Sequence, residues 1–257
     1  VLFDYDHPAS WPPAVTDFLG EHFDLLNDWV TAQRFATGSQ YDRLVERLGE
    51  LLRPHEILAW HCTRLLPHER AGILAKGMHL PSVDGLMTRI DAAISAGAFS
   101  PEIAAQFRLR HQAHSPTRAG RIWFLFTRPQ NDDGVEDFFR FWGGESLYAA
   151  IDRDIALGPI LRSTGVPCVV EAAIPMSYFQ DSLGYETHIV RQFCGWRAER
   201  SYDGVPHDRA LAPVPPHLIR RIVTSHDPEF AALSGCAAYY EPLTIAPPVA
   251  KHRLEDG

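Results

Sequence analysis

No stretch of about 18 uninterrupted apolar residues occurs in the sequence, so no bilayer-spanning helix is expected. Val1 to Asp6 has no basic segment ahead of an apolar one and does not read as a signal peptide. Cysteine is scarce: Cys62, Cys168, Cys194 and Cys236 lie far apart with no C-x-x-C pair, which reads as four reduced thiols. That points to a cytosolic setting, the producing cell's own or that of a target cell. Basic residues are outnumbered, 24 against 32 acidic, and the net charge of −8 gives no general pull toward nucleic acid or anionic membrane. There is no internal repeat and no low-complexity tract. With 46% apolar and 22% charged residues, disordered and collagen-like classes are excluded, and the chain is long enough for a sizeable core.

What is present is organised around Ile57-Leu58-Ala59-Trp60-His61-Cys62-Thr63-Arg64. The apolar half reads as a buried strand, and His61, Thr63 and Arg64 put polar groups where a sheet meets solvent. Pro67 then opens and Gly77 closes a short helix.

Before this segment, apolar residues at three- and four-residue intervals from Trp11 to Leu52 predict a helical hairpin, broken at Thr37-Gly38-Ser39. After it, residues 81–119 are again helical. Their basic cluster, Arg108, Arg110, His111, His114 and Arg118, reads as a solvated face; His111-x-x-His114 lacks an acidic or thiol partner, so no metal is expected. Strands are expected near 57–61, 121–127, 167–174, 187–193 and 217–224, with Trp123, Phe124 and Phe126 in the core. Gly143-Gly144 precedes a helix from Ser146 to Ile155 that carries Tyr148. Residues 1–54 form the helical N-terminal segment, 55–234 the main domain and 235–257 an extended tail. The class is α+β, with a mixed or antiparallel sheet packed against the N-terminal hairpin.

The order of these features resembles the ADP-ribosyltransferase fold, in its His-Tyr-Glu branch. A strand ends in His-x-Thr, a helix closes on Lys-Gly-Met, an aromatic Gly-x-Ile-Trp-Phe strand follows, then a Tyr-bearing helix, a Glu-led strand and a Pro-Pro-x-x-Ile strand. The resemblance covers roughly residues 56–224. It implies NAD as substrate, with His61 on the adenosine ribose and the main chain of Cys62 and Thr63 on the nicotinamide amide. Tyr148 would stack on nicotinamide, and Trp123 takes the place of a Tyr usual in the aromatic strand. Glu186, opening the late strand, would be the catalytic carboxylate, with Glu145 after the glycine pair as its rival. Arg64 suits the pyrophosphate as a bidentate cation.

The implied activity is ADP-ribosyl transfer or NAD glycohydrolysis with release of nicotinamide. The acceptor is left open among protein, nucleic acid, small molecule and water, and no membrane partner is expected. The resemblance also fits a toxin-like effector. Such chemistry needs one ionised carboxylate near the developing sugar cation and aromatic faces around a cationic ring, with no metal. Two other readings stand beside it. A cysteine-dependent hydrolase could use Cys62 or Cys194 with His61 or His188, and a non-enzymatic binding module could present Phe138, Phe139, Phe141 and Trp142.

Overall fold

The computed structural model describes residues 1–32, 37–129, 135–179, 184–200 and 206–236. Its centre is the antiparallel ladder between β2 (Glu56–Leu65) and β4 (Val166–Pro175), which pairs all ten residues of each strand from Glu56↔Pro175 to Leu65↔Val166. β4 is buried from Pro167 to Ala173 and at Ile174, as expected of a central strand covered on both faces; hence its near-continuous apolar run. β6 (Ile219–Thr224) pairs with β4 on the far side. On the near side, β3 (Ile122–Leu125) meets β2, and β5 (His207–Ala210) pairs with β3. The order is β5-β3-β2-β4-β6, all antiparallel, with β1 (Leu2–Phe3) added parallel to the start of β2.

Period-2 alternation sends Ile57 and Ala59 to one face of the sheet, where they join Val170, Ala172 and Ile174. That face is covered by α1 (Pro13–Glu21), α2 (Phe23–Ala32), α3 (Gly38–Leu52) and α10 (Tyr185–Arg197), through Leu19, Leu26, Leu48, Leu52, Ile189 and Phe193. Trp60 and Cys62 take the opposite face, under Phe139 of α7 (Val135–Arg140) and Phe230 and Leu233 of α11 (Phe230–Ser234). A third apolar cluster forms a helical lobe. It joins α5 (Val83–Ser95), α6 (Pro101–Arg110), α8 (Glu145–Tyr148) and α9 (Gly158–Ser163) through Ile90, Phe107, Trp142, Leu147 and Leu161. The α+β class therefore holds, and among the described residues no helix is long and apolar enough to cross a membrane.

The expected helix between Pro67 and Gly77 is α4 (Pro67–Lys76). Four other expectations differ from the structure. Residues 187–193 are helix, not strand: Tyr185, Ile189, Val190, Phe193 and Cys194 are the buried positions of α10, a helical stripe, whereas a period-2 reading would bury Arg191 beside Ile189. The N-terminal hairpin is three helices, broken at His22 as well as before Gly38. The helix expected from Ser146 to Ile155 is the single turn of α8. The aromatic strand stops at Leu125, beyond which the Phe126 amide donates to the Pro206 carbonyl at 2.8 Å. From residue 237 the expected tail lies outside the described residues.

Gly77 shows how tightly α4 is tied back. It leaves the helix at φ 80° and ψ −168°, and a methyl group there would sit 2.1 Å from the Val214 carbonyl oxygen. The adjacent Met78 pairs with Val214 through both of its main-chain bonds, at 2.8 and 2.9 Å. Gly77→Ala is therefore expected to cost about 3 kcal/mol or more, from left-handed strain plus the clash. Urea denaturation measures it, and a loss under about 1 kcal/mol would show that the turn relaxes.

Candidate functional site

The sheet parts at His61. β2 is fully paired to β4, but among the described residues its only partner in β3 is Trp60↔Leu125. Past that point the imidazole of His61 enters the gap, with Nδ1 2.8 Å from the Trp123 carbonyl oxygen and the ring centre 5.9 Å from that of Phe124. A carbonyl only accepts, so Nδ1 carries the hydrogen and Nε2 is left as an acceptor. Burial lowers the His61 pKa and the positive charge of Arg89 lowers it further, against the opposing effect of the Trp123 bond. The ring is neutral, and beside it the edge of β2 from Cys62 onward carries main-chain groups that no described strand pairs.

The same alternation separates the residues that follow. Thr63, two positions on, shares the side of His61 and is half-buried. Cys62 and Arg64 face the other way. Cys62 is buried in the cluster with Phe139 and Cys236, and burial pushes its thiol well up. Arg64 donates from Nε to the Thr164 carbonyl at 2.7 Å and from Nη1 to the Phe139 carbonyl at 3.0 Å. These two bonds clamp the ends of α7 and α9 to β2, and burial brings the Arg64 pKa down to about 10. Trp123 offers His61 its carbonyl. Its indole, expected in the core, is instead 38% exposed, because alternation along β3 turns Ile122 and Phe124 inward and Trp123 outward; it lies near His207, at 5.6 Å, and under the Arg209 guanidinium, at 5.9 Å.

A second group at the end of β2 escaped the sequence reading. Glu69, in the first turn of α4, has a side chain only 8% exposed. It accepts from the Leu66 amide at 2.8 Å, the Trp142 indole at 2.8 Å and Arg89 Nε at 2.6 Å. Burial alone would raise its pKa, but the Arg89 charge and these bonds outweigh burial and hold it below the ordinary value. Arg89, on α5, lies 5.2 Å above the Trp142 ring. The spacing of Leu66 and Glu69, an acid three residues after a helix start, was the available signal.

Trp142 leads through Gly143 (φ 91°) and Gly144 (φ 71°) to Glu145. Glu145 and Tyr148 are three apart on α8 and share a face. Glu145 bonds to Arg118 Nη2 at 3.0 Å, and its side chain is 45% exposed. Tyr148 is stacked on Phe141, with ring centres 5.3 Å apart and planes 27° from parallel, and Phe138 meets it edge-on. Burial raises the Tyr148 phenol pKa, with Asp137 and Glu145 adding to it, so the ring is a neutral platform.

Glu186 is in the first turn of α10. Together with Tyr185, whose phenol donates to it, Glu186 closes a cavity of about 180 Å³ between α3 and α10, lined also by Glu46, Glu50, Arg53 and Met176. Its Oε1 rests so close to Gly49 that a methyl group there would be 2.7 Å away. Burial raises its pKa, and Asp208 adds to the effect. His61 is not on the walls of this cavity, so the structure groups Glu145 with Tyr148 and Glu186 with Tyr185.

The other expected chemistry has less support. Cys194 is buried with its thiol pushed up to about 11, and Cys62 turns away from His61, so neither thiol has the lowered pKa of a nucleophile. Phe139, Phe141 and Trp142 are buried rings and half-buried Phe138 packs against the cluster that holds Phe139, so the four do not form an exposed docking surface. Among the described residues no three His, Cys, Asp or Glu side chains are grouped to hold a metal ion.

Two measurements test this geometry. The folded protein holds His61 neutral, with a pKa below the ordinary 6.5, so the unfolded chain takes up the proton first as pH falls. Its stabilising contribution is complete above about pH 6.5 and is lost as pH drops from there through the folded pKa. His61→Gln should show a shallower decline in stability below pH 6.5 than wild type; an unchanged decline would mean the ring is not held neutral. Arg64→Met should lower stability by about 2–3 kcal/mol, because two carbonyls lose a charged donor. A variant as stable as wild type would remove the clamp.

Set against known proteins, the chain matches no family model, no curated protein and no solved structure.

Proposed function

We propose that the chain is an ADP-ribosyltransferase-like enzyme, binding NAD where β2 and β3 part and breaking the nicotinamide–ribose bond. The observation that carries this reading is the imidazole of His61, bonded through Nδ1 to the Trp123 carbonyl with Nε2 presented as an acceptor, beside a strand edge that no described strand pairs. A carboxamide has one donor and one acceptor side by side, the pattern a strand edge offers its neighbour, so the main chain at Cys62 and Thr63 can hold nicotinamide. His61 Nε2 then accepts from a hydroxyl of the adenosine ribose. Tyr148, backed by Phe141, supplies the stacking face for the cationic ring.

Glu145 is the carboxylate assigned to catalysis, because it shares a helix face with Tyr148 and is exposed. When the bond between C1′ and the ring nitrogen breaks, the electron pair leaves with nicotinamide and the sugar becomes an oxocarbenium-like cation. A carboxylate beside it stabilises charge that is absent in the ground state and so lowers the barrier. The acceptor's lone pair forms the new bond to C1′, and its proton passes to Glu145 or to solvent. With water as acceptor the same steps are glycohydrolysis.

The test is nicotinamide release from NAD, followed with water, protein and nucleic acid as acceptors. Wild type should release nicotinamide with at least one of them. Glu145→Gln should lower turnover by about 10²-fold or more at nearly unchanged NAD affinity, while Glu186→Gln retains turnover. His61→Ala should weaken NAD binding by about threefold to tenfold, and Tyr148→Ala should weaken it where Tyr148→Phe does not. No release by wild type with any acceptor would sink the reading. Full turnover in Glu145→Gln would remove the assignment of that carboxylate.

A further inference from the structure

The Arg64 guanidinium, the cation expected at the diphosphate, is already committed to the carbonyls of Thr164 and Phe139. Arg89 is differently placed. Its Nε is held by the buried carboxylate of Glu69, and its plane lies over Trp142. Among the described residues Nη1 and Nη2 have no hydrogen-bond partner, and the side chain is 35% exposed. Glu69 in turn accepts from the Leu66 amide, which directly follows β2, so Arg89 is fastened to the end of the strand that carries His61. A guanidinium gripped on its Nε edge and stacked on an indole presents its remaining N–H groups in a fixed direction. This is the arrangement that suits bidentate recognition of phosphate.

Resting on the NAD reading above, we propose that Arg89 holds the diphosphate of the bound dinucleotide and that Glu69 is the positioning residue that aims it. Glu69 touches no ligand. Its three accepted bonds fix α4, Trp142 and Arg89 relative to β2, so the fork is set before the ligand arrives and little side-chain freedom is lost on binding. Arg89 also accounts for part of the neutral state of His61, since a nearby positive charge disfavours a second one.

The test is calorimetric titration of the full chain with NAD, ADP-ribose and inorganic pyrophosphate, with adenosine as the phosphate-free probe. Nicotinamide release is followed in parallel. Arg89→Ala is expected to weaken binding of the three phosphate-bearing probes by about tenfold or more and to leave adenosine unchanged. Arg89→Lys, which keeps the charge and loses the fork, should fall between, and the dependence of NAD affinity on salt should become shallower in Arg89→Ala. Glu69→Gln should lower the melting temperature, because partly buried Arg89 loses its charged partner, and should weaken the same three probes while leaving adenosine unchanged. A merely structural role for Glu69 would weaken adenosine equally. Should Arg89→Ala fail to fold, Arg89→Lys carries the comparison.

Phosphate-bearing probes bound as tightly by a folded Arg89 variant as by wild type would overturn the inference, as would a wild type that binds none of them. The two proposals separate cleanly. Arg89-dependent binding of pyrophosphate and ADP-ribose without nicotinamide release would leave Arg89 in place and remove the NAD reaction. Nicotinamide release with unchanged affinity in Arg89→Ala would do the reverse.

Discussion

The ladder between β2 and β4 is the constraint on which the site depends. A strand paired along one edge for all ten residues is held in register without help from its other neighbour, so β2 can give up β3 after a single pair. An open edge in the middle of a sheet normally invites mispairing or collapse. Here the His61 ring occupies the breach and bonds the Trp123 carbonyl, which keeps the two strands apart. The same bond decides the tautomer and leaves Nε2 as the acceptor, so one contact shapes both the opening and its chemistry.

Much of this frame was legible from the residues. The runs that became β2, β4 and β6 are rich in apolar residues and flanked by Gly or Pro, and the two longest ladders of the sheet join them. β5 was not legible: His207-Asp208-Arg209-Ala210 is a polar edge strand, formed because β3 offers it a partner and not because its side chains call for a sheet. α10 was misread because Thr187, Ile189 and Val190 are β-branched, and tertiary packing against α2 and α3 overrides that local preference. The consequence reached the site, since the argument for Glu186 depended on its opening a strand.

Within the site, the sequence carried more information than was drawn from it. His61 and Arg64 are an odd number of positions apart on one strand, so they must face opposite sides, and a single ligand on one face cannot take both side chains. Thr63 is the neighbour that alternation leaves beside His61. The distant partners of Glu69 were out of reach for another reason. Its partners Arg89 and Trp142 are 20 and 73 positions away, and no local pattern encodes contacts between α4, α5 and the segment after α7.

The pairing of Arg89 with a buried carboxylate looks at first like a poor way to attract an anion, because Glu69 cancels much of the charge. The alternative is worse. A partly buried guanidinium without a partner would carry an uncompensated desolvation cost whenever the site is empty. Glu69 removes that cost and takes only the Nε edge, leaving the two terminal nitrogens for a ligand. Attraction then rests on hydrogen-bond geometry at short range more than on net charge. That suits a chain with an overall charge of −8, whose distant acidic groups are screened beyond about 8 Å at physiological salt. For such a protein a fixed fork at the right place matters more than a basic surface, and Glu69 is the residue that fixes it.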